Sequence, residues 1–449
     1  MRGGSVAGRG LALLALVACL TTGSARAGTY DIFGDTPRDI GMGGAMTAAV
    51  IGYSALFYNP AALTLDHAHM LGFGFHLSVP ALEVEREHAT SESPTTLPET
   101  HFGATLGWVK PFGGIFDERL AVGLSLSLPL QRLARVQGID PESPQFYLFQ
   151  NLQDKLLINL GAAYDITDWL SVGIGGQILA DIAGSATLDI DILGGTFDRR
   201  ELAVELAPSF APFAGIHIRP PLGAHGGQIK IGVAFRGASS LRFQLPVLVS
   251  EGDALSLKIN VSQTVLYTPN ELAFGLSYTL DAPAITFALD LTYALWSDAP
   301  DPSPRLSVEI TGKLLAGFGL DHALDLSTRS APIDLGFSDT VTIRGGIEWQ
   351  ALDWLTVRGG YFFRPTPAPL QTGSTAYLDN DAHVVSLGLG FSLRSPLQDK
   401  RAIVDFDLSA QASILPRRTV YRSDAGNPVG DLSHGGVMWH FGVSALHRF

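Results

Sequence analysis

Cysteine is nearly absent: the 449 residues hold one, Cys19. If the leading segment that contains it is removed, no thiol remains, which excludes disulfides, thiolate metal sites and cysteine nucleophiles. Charge is also scarce, at 16% against 46% hydrophobic residues with a mean hydropathy of +0.22, a composition too apolar for an ordinary soluble protein. What charge there is runs negative, 30 basic against 43 acidic residues, which speaks against a nucleic-acid partner, since phosphate backbones are held by clustered Lys and Arg. Beyond residue 27 no stretch reaches the roughly 18 uninterrupted apolar residues of a spanning helix. A hydrophobic chain without spanning helices points to a transmembrane barrel, because in lipid every backbone N–H and C=O must be paired within the protein. There is no Gly-x-Ser-x-Gly elbow, no Gly-x-x-x-x-Gly-Lys phosphate loop and no cluster of Ser, His and a polar orienting residue. The chain reads as a non-enzyme with no cofactor and no metal. Asp66-His67-Ala68-His69 has ligand types at metal-like spacing but no evident fourth partner.

The chain opens with Arg2 and Arg9, an apolar run over 11–20, and a close at Ala25-Arg26-Ala27. That order reads as a cleaved secretory signal over residues 1–27, and the run is too short to anchor, since a spanning helix takes about 20 residues. Leu16-Val17-Ala18-Cys19 also has the form of a lipoprotein cleavage box, so lipidation of Cys19 stays open as a second reading.

Residues 67–449 alternate as barrel strands do, with apolar residues facing lipid and small or polar ones facing the lumen over about 10 residues at a time. Over 402–411, Val404, Phe406 and Leu408 share one face, and Asp405, Asp407, Ser409 and Gln411 the other. Two carboxylates do not face lipid, so the second face is lumenal. Over 285–296, Phe287, Leu289, Leu291 and Tyr293 point outward and Thr286, Asp290 and Thr292 inward. Short turns near 165–168, 281–283 and 350–353 alternate with long polar segments near 87–100, 132–154, 365–381 and 415–435, as expected of periplasmic turns and external loops. This rhythm places strands at 69–86, 101–111, 119–131, 155–164, 169–192, 200–218, 228–245, 254–279, 284–314, 332–349, 354–364, 382–393, 402–414 and 436–449. The assignment makes an all-β, antiparallel transmembrane barrel of about 14 strands with both ends periplasmic. The stretch 306–311 is merged with its neighbour as an extension above the membrane. The chain closes on alternating apolar residues and Phe449, a terminal pattern that outer-membrane assembly machinery reads.

Residues 28–66 do not read as barrel. Asp39-Ile40-Gly41-Met42-Gly43-Gly44-Ala45 leads into Ala55-Leu56-Phe57-Tyr58-Asn59-Pro60-Ala61-Ala62-Leu63. This resembles the N-terminal plug of the FadL/TodX family of outer-membrane transport proteins, whose hallmark is Asn-Pro-Ala after a glycine- and alanine-rich lead. Thr268-Pro269-Asn270-Glu271-Leu272 with Asp290-Leu291-Thr292-Tyr293-Ala294-Leu295-Trp296-Ser297, and the hairpin from Ile343-Arg344-Gly345-Gly346 to Leu355-Thr356-Val357-Arg358-Gly359-Gly360-Tyr361, extend the resemblance over most of the chain.

The resemblance implies a fourteen-stranded barrel closed by the plug in its lumen. It implies passive outer-membrane uptake of long-chain fatty acids or aromatic or aliphatic hydrocarbons, which leave sideways through the wall where the third strand kinks. Asn59, Pro60 and Ala61 are then the plug motif. Pro129, which has no N–H for the ladder, marks either that lateral opening or a plain strand end. Phe146, Tyr147, Leu148, Phe149 and Leu152 form an apolar cluster in a solvated loop, either a first ligand groove or packing on the barrel rim. Arg344 and Arg358 point into the lumen with Glu348, Asp405 and Asp407, as an ion-pair network or, for one arginine, a contact to a fatty-acid carboxylate. Implied partners are the hydrophobic ligand, outer-membrane lipid and lipopolysaccharide, and the barrel-assembly machinery, for a monomer in the outer membrane of a Gram-negative cell. Two other readings stand beside this one: a scaffold or shuttle for a protein partner, and a general porin, against which the plug-like segment speaks.

Overall fold

The computed structural model describes residues 33–90, 94–131, 142–150, 156–191, 196–221, 227–251, 255–303, 305–311, 313, 324–325, 328–329, 334–373, 375–394, 403–422 and 427–449. The expected signal segment, with Cys19, lies outside them.

Fourteen antiparallel strands close into one barrel. They are β1 (Met70–Glu87), β2 (His101–Phe112), β3 (Leu120–Pro129), β4 (Leu157–Thr167), β5 (Leu170–Asp191), β6 (Thr196–Ile218) and β7 (Gly227–Arg236). The circuit continues with β8 (Glu271–Leu280), β9 (Ile285–Ala294), β10 (Thr340–Leu352), β11 (Leu355–Arg364), β12 (Ala382–Arg394), β13 (Ile403–Val420) and β14 (Asp431–Arg448). Each strand pairs with the next, and β14 returns to β1 over eighteen register pairs from Met70↔Arg448 to Glu87↔Asp431. Among the described residues the barrel circuit has no free edge, which is the condition for lying in lipid. Along the wall the side chains alternate: Phe287, Leu289, Leu291 and Tyr293 are exposed on the outside, while Asp290 between them is buried.

The strand count matches the sequence reading, but three of its segments divide. The segments 228–245, 254–279 and 284–314 each contain one barrel strand and one strand that lies off the barrel circuit in an extension of the same sheet: Ser239–Glu251, Leu255–Thr268 and Arg305–Thr311. The first two of these pair with each other, Leu255–Thr268 pairs with Arg305–Thr311, and Ser239–Glu251 runs parallel to the upper part of β5. The stretch 306–311 is thus paired with Leu255–Thr268, not an extension of β9. Alternation persists across such a transfer because it reports which face is buried and not which strand is the partner. The chain leaves the barrel at Gly237-Ala238, where Gly237 N–H donates to the Pro212 carbonyl (2.9 Å) and Ala238 N–H to Asn270 Oδ1 (2.9 Å).

Residues 33–66 fold inside the barrel. Helix α1 (Pro37–Gly41) starts at Thr36, whose N–H and hydroxyl both donate to Asp39 Oδ2 (3.1 and 2.7 Å), with Pro37 at its first position. It ends at Met42-Gly43, where Gly43 takes φ +64°. A second turn, α2 (Ala55–Tyr58), leads into Asn59 and a 3-10 turn, Pro60–Thr64. Met42, Met46, Val50, Tyr53, Leu56 and Leu63 make this segment's own apolar core against the wall.

Candidate functional site

The N-terminal segment is tied to the wall at several heights. Asn59 is fully buried: its Nδ2 donates to the carbonyls of Thr47 (2.9 Å) and Ile216 on β6 (3.0 Å), and its Oδ1 accepts from Ala61 N–H (3.1 Å). One amide thus joins two parts of the segment to the barrel and caps the turn begun by Pro60. The wall admits it through Gly215, where a Cβ would stand 2.0 Å from Asn59 Oδ1. At Gly360 on β11 a Cβ would stand 2.1 Å from the Gly43 nitrogen, so the backbone of the segment lies directly on the sheet. Asp290 Oδ2 accepts from Thr47 N–H (2.7 Å), Thr64 Oγ1 donates to Asp165 Oδ1 (2.6 Å), and Arg38 meets Glu348 through two bonds of 2.8 Å.

The lumenal charge network differs in membership from the sequence reading. Arg358 pairs with Glu348 (2.7 Å) and Asp407 (2.5 Å), Arg448 pairs with Asp405, and Arg38 from α1 completes the group. Arg358 is therefore saturated by two carboxylates. Arg344 faces Asp290 across the register of β9 and β10, donates to Thr292 Oγ1 (3.0 Å) and holds its guanidinium 5.0 Å from the Phe362 ring. Arg38 and Arg448 carried no lumenal signal in the sequence: one lies in a short helix and the other at a strand end, 310 and 43 residues from their partners.

Of the loop cluster, Phe146, Tyr147, Leu148 and Phe149 are packed inward, at 0–5% exposed. The loop turns inward because Gln145–Phe146 pairs in parallel with Tyr377–Leu378 and α3 (Tyr147–Gln150) follows at once. Leu152 lies outside the described residues. The four side chains join one apolar cluster that descends through Phe337, Trp296, Tyr267 and Phe362 to Phe57 and Phe33 of the N-terminal segment. Edge-to-face contacts of Tyr147 with Phe337 (5.4 Å) and Phe337 with Trp296 (5.9 Å) continue it inward.

Pro129 is the last residue of β3 and faces inward. It pairs with Gly103 on β2, whereas pairing of β3 with β4 stops at Ser127↔Leu157. Leu130 N–H donates toward β2, to the Phe102 carbonyl (2.9 Å), so the missing N–H of Pro129 falls on the β4 side. That is the side where the ladder has ended, and no described pairing is lost. Leu157, at the top of this seam, belongs to the buried apolar cluster, and Phe102 and Leu130 are exposed beside it.

Two cavities flank the N-terminal segment. On the external side, about 60 Å3 is enclosed by Phe33, Phe57, Phe213, Phe362, Arg344 and Gln411 among others. On the side of the short turns, about 290 Å3 is lined by Arg38, Glu348, Arg358, Asp405, Asp407 and Arg448 among others. The first is amphipathic and far below the ~300 Å3 of a small-molecule pocket, so a guest enters only as the apolar lining parts. The second is charged.

No protein-family model matches the chain. Its sequence is 24% identical over 376 residues to alkane uptake protein A of Marinobacter nauticus, covering 80% of this chain and 77% of that relative. Its fold is similar to the crystal structure of a Pseudomonas aeruginosa FadL homologue, with a TM-score of 0.56 at 13% identity over 95% of this chain and 100% of that one. It is similar also to that of the P. putida toluene transporter TodX, with a TM-score of 0.55 at 17% identity over 93% and 99% of the two chains.

Proposed function

We propose, for a chain that is a FadL-type outer-membrane barrel, that it passes small hydrophobic molecules of the hydrocarbon or fatty-acyl kind passively across the outer leaflet and releases them sideways into the membrane. The observation that carries this reading is the single apolar cluster running from the external cap at Phe146 and Phe149 to Phe33 and Phe57, with Leu157 at the β3–β4 seam as one of its members. An apolar molecule loses nothing by moving along such a column, because each contact with water is replaced by contact with ring or aliphatic carbon. The alkane-uptake relative favours a hydrocarbon cargo.

The charged chamber beneath the N-terminal segment supports a lateral exit over a direct one. To reach the periplasm an apolar guest would have to pass three arginines and four carboxylates, which costs far more than parting lipid-facing side chains. Asn59, Pro60 and Ala61 hold the floor of the column, Pro129 ends β3 where its described pairing with β4 stops at Ser127, and Arg344, which lines the cavity at the foot of the column, is the arginine that a fatty-acid head would meet. The test is initial-rate uptake of labelled hexadecane and palmitate by a host with its own FadL-type transporter deleted and its lipopolysaccharide intact. Saturable uptake that depends on this chain supports the reading. A folded barrel that accelerates neither would turn the assignment to a scaffold or shuttle for a protein partner.

A further inference from the structure

The wall made by β12, β13, β14, β1 and β2 carries a row of neutral polar side chains that none of the contacts above explains. Across the register Ser386 faces Gln411, Gln411 faces His440, His440 faces Ser78, and Ser78 faces His101. Strand alternation turns all five toward the lumen, and Ser386, Gln411, His440 and Ser78 are each at most 3% exposed. Ser78 Oγ and His440 Nδ1 are 2.7 Å apart. Among the described residues, Ser386 Oγ, Gln411 Oε1 and His440 Nε2 have no hydrogen-bond partner, nor do Ser409 Oγ, Ser413 Oγ and His76 Nδ1 just beside them. Buried polar atoms are nearly always answered by protein or ordered water, so six in one patch of wall leave hydrogen-bonding capacity for water or for a guest.

The position of the row says which guest. One step outward, Ser413 faces Val384 on one side and Met438 on the other, both members of the apolar column. One step inward, Gly388 and Gly442 lie against Gly41 and Pro37 of α1. Phe33, at the foot of the column, stacks on His440 with ring centres 4.7 Å apart, and Gln411 opens on the 60 Å3 cavity. A molecule whose chain lies in the column therefore brings its end to this row. The row contains no Lys, Arg, Asp or Glu, so it offers donors and acceptors without a formal charge. A hydroxyl satisfies such groups at no cost in buried charge, whereas an ionised carboxylate would find its counter-ion across the cavity at Arg344 and not in the row.

We propose that the row is a subsite for the oxygen of an uncharged oxygenated hydrocarbon, of which a primary alcohol is the simplest, with its chain in the apolar column. The subsite rests on the uptake reading given above and narrows its cargo. It is tested by binding of dodecanol, dodecane and dodecanoate to the purified full-length barrel in nanodiscs, wild type beside Ser386→Ala and Gln411→Leu, with folding checked by heat-modifiable migration. One or two neutral hydrogen bonds make dodecanol bind about tenfold more tightly than dodecane. That ratio falls toward one in Gln411→Leu and partway in Ser386→Ala, which removes a single oxygen and keeps the test intact if the larger change impairs folding. Equal binding of dodecanol and dodecane by the wild type overturns the subsite and leaves the row to water, with the uptake reading standing. Preference for dodecanoate overturns it in favour of a carboxylate at Arg344. Binding of none of the three by the folded barrel overturns the uptake reading itself.

Discussion

Replacing Asn59 by alanine should loosen the N-terminal segment without unfolding the barrel. The side chain makes three hydrogen bonds, to the Thr47 and Ile216 carbonyls and from Ala61 N–H, and is fully buried, so solvent cannot replace them. Loss of the cap alone costs about 1 kcal/mol, and each buried group left without a partner costs a further ~1–3 kcal/mol. The two carbonyls each retain a second lone pair, which puts the sum near the low end, about 3 kcal/mol. If that cost falls on local opening, the detached population of residues 45–64 rises roughly a hundredfold, since 1.4 kcal/mol is about a factor of ten. Hydrogen exchange followed by mass spectrometry reads this directly: protection of the amides at Ala61, Ala62 and Leu65 falls by about that factor, while peptides from β10 to β14 exchange as before. Asn59→Asp, which keeps the acceptor for Ala61 but loses both donors, should lose most of the same protection. Unchanged exchange over residues 45–64 in Asn59→Ala would refute the argument that this amide holds the segment to the wall.

Three further expectations concern the parts around it. Arg38→Met removes both bonds to Glu348 and the 3.2 Å bond to the Ala49 carbonyl; because Arg358 still pairs with Glu348, the segment should lose only about 1–3 kcal/mol of local stability, read by the same exchange experiment. Phe149→Ala empties a buried site in the external cap, worth about 3–5 kcal/mol in a rigid core, and should make 145–150 a site of limited proteolysis while the barrel stays resistant. Burial raises the Asp35 carboxyl to about 8, with Asp39 adding to the effect and Arg236 opposing it. A raised carboxyl favours the neutral form in the folded segment, so its contribution to stability is complete below the ordinary value of 3.8 and is lost as pH rises through about 8. Exchange protection of residues 33–44, corrected for the intrinsic rate, should therefore fall between pH 5 and pH 9, and Asp35→Asn should flatten that dependence.

How much of this was legible beforehand follows from which interactions are local. Alternation fixes the face of every residue in a strand, so Asp290, Asp405 and Asp407 are readable as lumenal and Phe287 or Leu408 as lipid-facing without any knowledge of partners. Asn59-Pro60-Ala61 is readable because a capped turn is a local structure. Partner choice is not local. The departure of 239–251 and 255–268 from the barrel circuit rests on pairings that alternation does not encode, and the inward turn of Phe146 rests on Tyr377 and Leu378, more than 200 residues away. The wall glycines that admit the N-terminal segment, Gly215 and Gly360, look like weak points in a strand until the backbone they face is known. The polar row is hidden for the same reason, since Ser386, Gln411, His440 and Ser78 meet only through the register of four strands.

A reducible staple at the seam tests lateral release most directly. Leu126 and Ile158 are directly opposite on β3 and β4, one step below the end of their ladder, and Leu126→Cys with Ile158→Cys closes a disulfide in a chain whose only other cysteine is Cys19. Labelled hexadecane should enter the transporter-deleted host at the wild-type rate when the staple is reduced, several-fold more slowly when it is oxidised, and again at the wild-type rate after reductant is added. Uptake indifferent to the closed staple, with the disulfide confirmed in the folded barrel, would contradict lateral release between β3 and β4.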